Sequence, residues 1–487
     1  MPREAGFDTN HLMKKIRIFP RPFSLGPALL LVALLATGCA HYPANPFLKE
    51  VVPDEGYRMR NRKPAGNSDQ ILMVLTFSGG GTRAAALAYG VMEELARTEI
   101  LVEGRKGMLL DEVDAISGVS GGSVIAAYYG LFGKRLFEDF ESRFLKKNIQ
   151  SDLLELPLNP GNWFRLWAPN FARTDLVAEY FDQNLYQGGT FGDMAAQKGP
   201  MIFINATDVT QGTYFTFCQD LFDILCSDLS RFPVGRAVAA SAAVPVLLSP
   251  ITLYNYAGSC SYREPEWVQQ VLQDTHSPRR RYQQALQIKS YMDAERKPFI
   301  HLVDGGIADN LGLRGAMDRL LPRGEIWPSL QYLGLERVRK IVFLAVNAEK
   351  EPDQKLDQWE RTLRGDKVVT SVLRIPMIRY NFETVQLVKE RLREWTEEIR
   401  MNRCQEAMPK AGAEPKNLEP AACGDIQSYM IVVDPDFLAS PSERAFFNHL
   451  PTSFSLPPET VDRIRETARW ILVQSPEFQR LLQDLKE

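Results

Sequence analysis

The stretch Ile71 to Gly81, ILMVLTFSGGG, constrains the fold of this chain more than any other. An apolar run that ends at Phe77-Ser78 and three consecutive glycines has the pattern of a buried strand emptying into a turn of bare backbone. Ala84-Ala85-Ala86-Leu87 then begins a helix. Gly79, Gly80 and Gly81 carry no Cβ, so their N–H groups can converge on an anion at the point where that helix aims its N-terminus. A phosphate loop needs Gly-x-x-x-x-Gly-Lys-Ser/Thr or Gly-x-Gly-x-x-Gly, and neither is present. An oxyanion hole needs only converging N–H donors beside a nucleophile.

With 487 residues, 45% of them hydrophobic, the chain can bury one large α/β core with elaborations, or two domains. A net charge of −3 without a dominant basic tract argues against nucleic acid as a partner. The five histidines are scattered, and neither His-x-x-x-His nor Cys-x-x-Cys spacing occurs, so no metal or other cofactor is expected.

The N-terminus indicates a location. Met13-Lys14-Lys15-Ile16-Arg17 followed by Leu25 to Leu35 is a basic segment before an apolar one too short for a comfortable membrane span, the pattern of a signal peptide. It ends Leu35-Ala36-Thr37-Gly38-Cys39, which resembles a bacterial lipobox, so residues 1–38 are expected to be removed and Cys39 lipidated. Ala40 at the next position favours the outer membrane of the cell envelope. Residues 39–70 are polar, with Pro43, Pro46, Pro53 and Pro64, and are expected to form a tether holding the domain within roughly 30 Å of the bilayer. In such an oxidising compartment Cys218 with Cys226, and Cys404 with Cys423, are the sequence-close pairs expected as disulfides, leaving Cys260 free.

A nucleophile follows the first helix. Asp111 to Gly118 is a short strand, and Gly118-Val119-Ser120-Gly121-Gly122 is a Gly-x-Ser-x-Gly turn opening a small-residue helix. Such an elbow lifts the Ser120 hydroxyl out of the backbone and sets it at a helix N-terminus. Its base is either a downstream histidine, His276, His301 or His449, or a carboxylate alone. Phe299 to Val303 runs as a strand into Asp304-Gly305-Gly306, which places Asp304 at a strand end where another backbone can approach.

Taken together and in order, Ser78-Gly79-Gly80-Gly81-Thr82-Arg83, Gly118 to Gly122 and Asp304-Gly305-Gly306 resemble the three signatures of the patatin-like phospholipase family. Ala237 to Pro245, with Ser241 four residues before Pro245, is similar to a fourth segment of that family. The resemblance covers about residues 71 to 314, with Ala84 where the family often has Gly. It implies an α/β fold of three α/β/α layers around a mainly parallel sheet, and a Ser120–Asp304 dyad that needs no histidine. Gly79, Gly80, Gly81 and Gly121 would form the oxyanion hole, with Arg83 fixing the loop or binding phosphate. The implied activity is hydrolysis of membrane phospholipid or lysophospholipid esters. A transacylase using the same dyad, or a catalytically silent envelope scaffold, are the alternatives.

The catalytic domain is expected over residues 71–320, with an inserted lid-like segment at 254–298 whose Arg279-Arg280-Arg281 forms a basic turn. A helical or mixed C-terminal extension, 321–487, is expected to pack on the core. Lys340 to Val346 and Met430 to Val433 have strand patterns, and Phe382, Val385, Val388, Leu392, Trp395 and Ile399 keep the period of one amphipathic helix. The aromatic stretch Trp163-Phe164-Arg165-Leu166-Trp167 is expected in the core or lining an acyl pocket, with contact to a lipid interface as the other reading.

Overall fold

The computed structural model describes residues 44–486 apart from 63, 65, 246, 275, 351–356, 359, 361, 363–364 and 412–423. The signal segment, the lipobox with Cys39, and Cys423 therefore lie outside the described residues. Eight strands form one sheet: β1 Ile71–Phe77, β2 Val113–Val119, β3 Met201–Asp208, β4 Thr213–Phe217, β5 Ile251–Tyr254, β6 Phe299–Asp304, β7 Lys340–Val346 and β8 Gln427–Val433. Their order is β8-β7-β1-β2-β3-β6-β5, with β4 added on β3. The pairs β8–β7, β7–β1, β1–β2 and β2–β3 are parallel. Every residue of β1, β2 and β3 is buried, as a parallel sheet covered on both faces requires. Helices Gly81–Arg97, Gly121–Phe132 and Pro458–Gln474 pack together over the sheet, and helices Leu313–Leu320 and Gly365–Ala411 supply another layer. At the tightest crossing, a Cβ on Gly90 would sit 2.4 Å from the Arg465 carbonyl oxygen.

The registers along β3 bring two strand ends together. Residues 204–205 pair with both β2 and β4, and residues 206–208 pair with both β4 and β6. A strand has two edges, so β2 and β6 share the edge opposite β4. They run toward each other along it: Val119 lies against Asn205 and Asp304 against Ala206. The residue after Val119 therefore meets the last residue of β6.

Several expectations are corrected. The region beyond residue 320 does not merely pack on a finished core, because β7 and β8 come from it and β7 pairs with β1 along all seven residues. Residues 44–70 are not a free tether: Tyr57 is fully buried, its hydroxyl accepts the Ile202 N–H at 2.8 Å, and Arg58 pairs with Asp220 at 2.7 Å and Asp223 at 2.5 Å. Polar residues with many prolines suggested a coil, yet each anchor is a long-range partner that local composition does not encode.

The 254–298 insertion is not placed as a lid. It leaves β5 at Tyr254 and re-enters β6 at Phe299, the end of β6 farthest from Asp304 and roughly 17 Å away at strand rise. Arg279 to Arg281 open the helix Arg279–Met292 rather than forming a turn. Finally, Cys226 is bonded to Cys260, and Cys218 is a buried free thiol. Cys404 is disulfide-bonded as well. Along the long helix Val388, Leu392, Trp395 and Ile399 are buried as their period suggests, whereas Phe382 is exposed.

Candidate active site

Ser120 sits where the β2 end turns into the helix Gly121–Phe132, at φ 50° and ψ −120°. A side chain in this left-handed region costs on the order of 1–3 kcal/mol, so the surroundings must hold it. They do so through a relay: the Ser120 N–H donates to Ser241 Oγ at 2.8 Å, and Ser241 Oγ donates to the Asn205 carbonyl at 2.6 Å. The Ser123 hydroxyl ties back to the Ser120 carbonyl at 2.6 Å. The flanking glycines are needed for space. A Cβ on Gly121 would lie 2.1 Å from the Gly81 carbonyl oxygen, and one on Gly122 would lie 2.4 Å from that of Phe77.

Asp304 arrives on the same edge of β3. Its N–H donates to the Ala243 carbonyl at 2.9 Å, and its own carbonyl accepts the Thr207 hydroxyl at 2.8 Å. Its carboxylate accepts the Gly306 N–H at 2.8 Å, and the Ser120 hydroxyl lies close enough to lower its pKa. Ser120 is 6% exposed and Asp304 8%. Burial pushes the Asp304 carboxyl up to about 6, although the Gly306 N–H and Ser120 hydroxyl both oppose the rise. Asp309 is also pushed up to about 6 by burial, but its carboxylate is held by the Gly315 N–H, so it is a structural acid of the next turn.

The glycine turn faces this pair. Gly80 and Gly81 both have positive φ, 141° and 61°, which only glycine adopts without strain. Gly79 behaves differently from its neighbours: its N–H donates to the carbonyl and to Oδ1 of Asn310, each at 3.2 Å. Among the described residues the N–H groups of Gly80, Gly81 and Gly121 have no acceptor, as expected at helix starts. Thus the donors available near Ser120 exclude Gly79.

Arg83 is buried and takes neither a phosphate-facing nor a solvent-facing position. Its Nε donates to the Ala348 carbonyl at 2.9 Å and its Nη1 to the Leu450 carbonyl at 3.2 Å. Burial lowers its pKa to about 10, with Arg374 adding to the effect and Glu349 opposing it. It is a positioning residue that straps the glycine turn to two C-terminal loops. Ser453 does the same from the other side, its carbonyl accepting the Thr82 N–H at 2.9 Å. Asn310 and Ser453 escaped sequence reasoning. Asn310 carries a faint signal, six residues after Asp304 on the same turn, while Ser453 carries none.

The rim is apolar. Trp163, Phe164 and Trp167 are exposed by 54%, 45% and 72%, which overturns their expected place in the core or an acyl pocket. Leu154, Leu158 and Leu247 are exposed too, and Leu247 follows the Ala243 carbonyl that binds Asp304 by four residues. Ser249 of the same loop accepts the Thr174 N–H, which links the aromatic segment to this loop. Across the Asp304 turn runs the long helix, whose Met377 Cε lies 3.4 Å from where a Gly306 Cβ would be. A cleft of about 450 Å³ opens under that helix, lined in part by Leu311, Ile378, Phe382, Val385 and Phe437.

The family model described as Patatin-like phospholipase matches residues 75–317. No curated protein matches the sequence. Among solved structures, human GIVD cytosolic phospholipase A2 is similar at 15% identity and a TM-score of 0.39, over 86% of this chain and 62% of that one. VipD from Legionella pneumophila is similar at 12% identity and a TM-score of 0.24, over 88% of this chain and 71% of that one. The chain thus spans less than two thirds of the length of the first of these.

Proposed function

Because the chain belongs to the patatin-like phospholipase family through residues 75–317, we propose that it hydrolyses acyl esters of membrane phospholipids or lysophospholipids through a Ser120–Asp304 dyad. The observation that carries this reading is the Ser120 hydroxyl set beside a buried carboxylate that burial has made more basic. Ser120 Oγ attacks the ester carbonyl while Asp304 takes its proton. The oxyanion is received by the N–H groups of Gly80, Gly81 and Gly121, which have no other acceptor among the described residues. The leaving alcohol takes the proton back from Asp304. Water, deprotonated by the same carboxylate, then attacks the acyl-serine, and the proton returns to Ser120 as the acid leaves. The apolar cleft beneath the long helix receives the acyl chain.

The pH profile tests this directly. Asp304 must be ionised to act, and its carboxyl sits near 6 rather than at its ordinary value of 3.8. Hydrolysis of a p-nitrophenyl ester should therefore be level above about pH 7 and fall about tenfold per unit below pH 6. A profile still flat at pH 4.5, taken on protein shown to be folded there, would exclude Asp304 as the base.

Two membrane contacts belong to the same reading, lipidation of Cys39 at the outer membrane and insertion of the exposed aromatic segment into the lipid interface. They separate experimentally. Cys39→Ser should release the protein from the membrane fraction. Trp163→Ala with Trp167→Ala should leave it anchored, yet weaken vesicle binding of the chain from Ala40 onward by at least about tenfold. Unchanged vesicle binding would remove the interfacial role, and a membrane-bound Cys39→Ser protein would remove the lipid anchor.

A further inference from the structure

At the pole of the sheet opposite Asp304, the 254–298 insertion and the core enclose a cavity of about 310 Å³ that catalysis does not use. Three arginines line it, Arg281 from the insertion and Arg319 and Arg323 from the core, between walls supplied by Tyr262, Trp267 and Tyr332. We propose that this cavity binds a phosphomonoester anion, with the aromatic walls covering the group that the phosphate is attached to.

Charge supports the assignment. The cavity also holds Asp220, Asp223 and Asp318, but cations outside its lining already engage them: Arg58 pairs with Asp220 and Asp223, and Arg280 with Asp318 at 2.7 Å. Arg281, Arg319 and Arg323 have no hydrogen-bonded carboxylate among the described residues. Arg319 Nε is buried without any acceptor, although Asp220 and Asp318 lie close enough to favour its charge. Burial lowers the pKa of Arg281, with only Glu325 opposing. Half-buried Arg281 is thus a partly desolvated cation without a hydrogen-bonded carboxylate, a costly arrangement that a bound dianion would relieve, with Arg319 and the exposed Arg323 beside it.

Geometry supports it too. The Arg281 guanidinium lies 3.9 Å from the Trp267 ring centroid, and a Cβ on Gly324 would be 2.5 Å from its Nη1, so the group is held between the ring and bare backbone. Arg323 lies 4.4 Å from the Tyr332 centroid. The Cys226–Cys260 bond fastens the start of the insertion beside the helix Gln219–Ile224, whose Leu221 and Ile224 are also in the wall. Such fixed guanidinium forks suit a phosphate, and aromatic faces suit the C–H face of a sugar ring.

Titration calorimetry on the chain from Ala40 onward, with inorganic phosphate, glycerol phosphate and glucose 6-phosphate as separate probes, tests the proposal. Saturable binding of at least one probe is expected. Arg281→Gln with Arg323→Gln should weaken it at least about tenfold. Preference for glucose 6-phosphate, lost in Trp267→Leu while inorganic phosphate still binds, would identify the attached ring as part of the ligand; equal binding of all three would identify the phosphate alone. Both arginines reach the surface, and a thermal melt matching the parent's shows that the double variant is folded. No binding of any probe at low millimolar concentration, or affinity unchanged in the folded double variant, overturns the site.

Discussion

Ser120→Ala and Asp304→Asn will each lower ester hydrolysis by about 10⁴-fold or more, because nucleophile and base act as one unit. His301→Ala and His449→Ala will not. The His301 ring is engaged with Thr252 at 2.9 Å, and His449 Nδ1 meets the Ala445 carbonyl on its own helix. Asp304→Asn should also be more stable than the parent at neutral pH, which a merely structural role would not produce. The Asp304 carboxyl lies above its ordinary value in the folded chain, so its contribution favours folding most below pH 3.8 and is lost as pH rises through about 6. At pH 7 ionised Asp304 thus costs on the order of 3 kcal/mol, and asparagine, which can still accept the Gly306 N–H, removes most of that. Ser120→Gly should release the left-handed strain as well. Calorimetric melts beside the activity assay check both halves. Near-parental turnover in Asp304→Asn, or loss of it in His301→Ala, would rule out the dyad.

A chain ending at residue 320, which keeps the whole family match, is expected not to fold. It lacks β7 and β8, so β1, buried along its length, becomes a bare sheet edge. Arg83 loses both carbonyl partners, and a hydrogen bond to a charged group is worth about 1.5–3 kcal/mol. Circular dichroism and a melting scan of residues 44–320 beside 44–487 decide this. A soluble, cooperatively melting shorter chain would mean that the C-terminal strands are dispensable.

How far this was legible in the sequence depends on the range of each interaction. Gly80, Gly81, Ser120 and Asp304 announce themselves because each needs a special backbone at a strand end, and that need is written in adjacent glycines. The role of Arg83 is not written nearby, since its acceptors at Ala348 and Leu450 are far along the chain. Gly79 looks like its neighbours until Asn310 folds over it. The place of the insertion is not legible for a topological reason: its length is visible, but the pole from which it leaves depends on β6 running antiparallel to β3. Trp163 and Trp167 have the composition of core residues, and only their place at an exposed rim distinguishes them. The disulfide joins Cys226 to Cys260, 34 residues apart, because the insertion folds back on its root, so proximity in sequence was the wrong guide.

The straps on the glycine turn also bear on timing during synthesis. Arg83 and Leu450 are 367 residues apart, and the Thr82 contact with Ser453 spans even more chain. Contacts of such long range are slow to close and form only when nearly the whole polypeptide is available. A nascent chain already contains Ser120, yet lacks the residues that hold the glycine turn beside it. The glycine turn is therefore fixed beside Ser120 only once nearly the whole polypeptide is present.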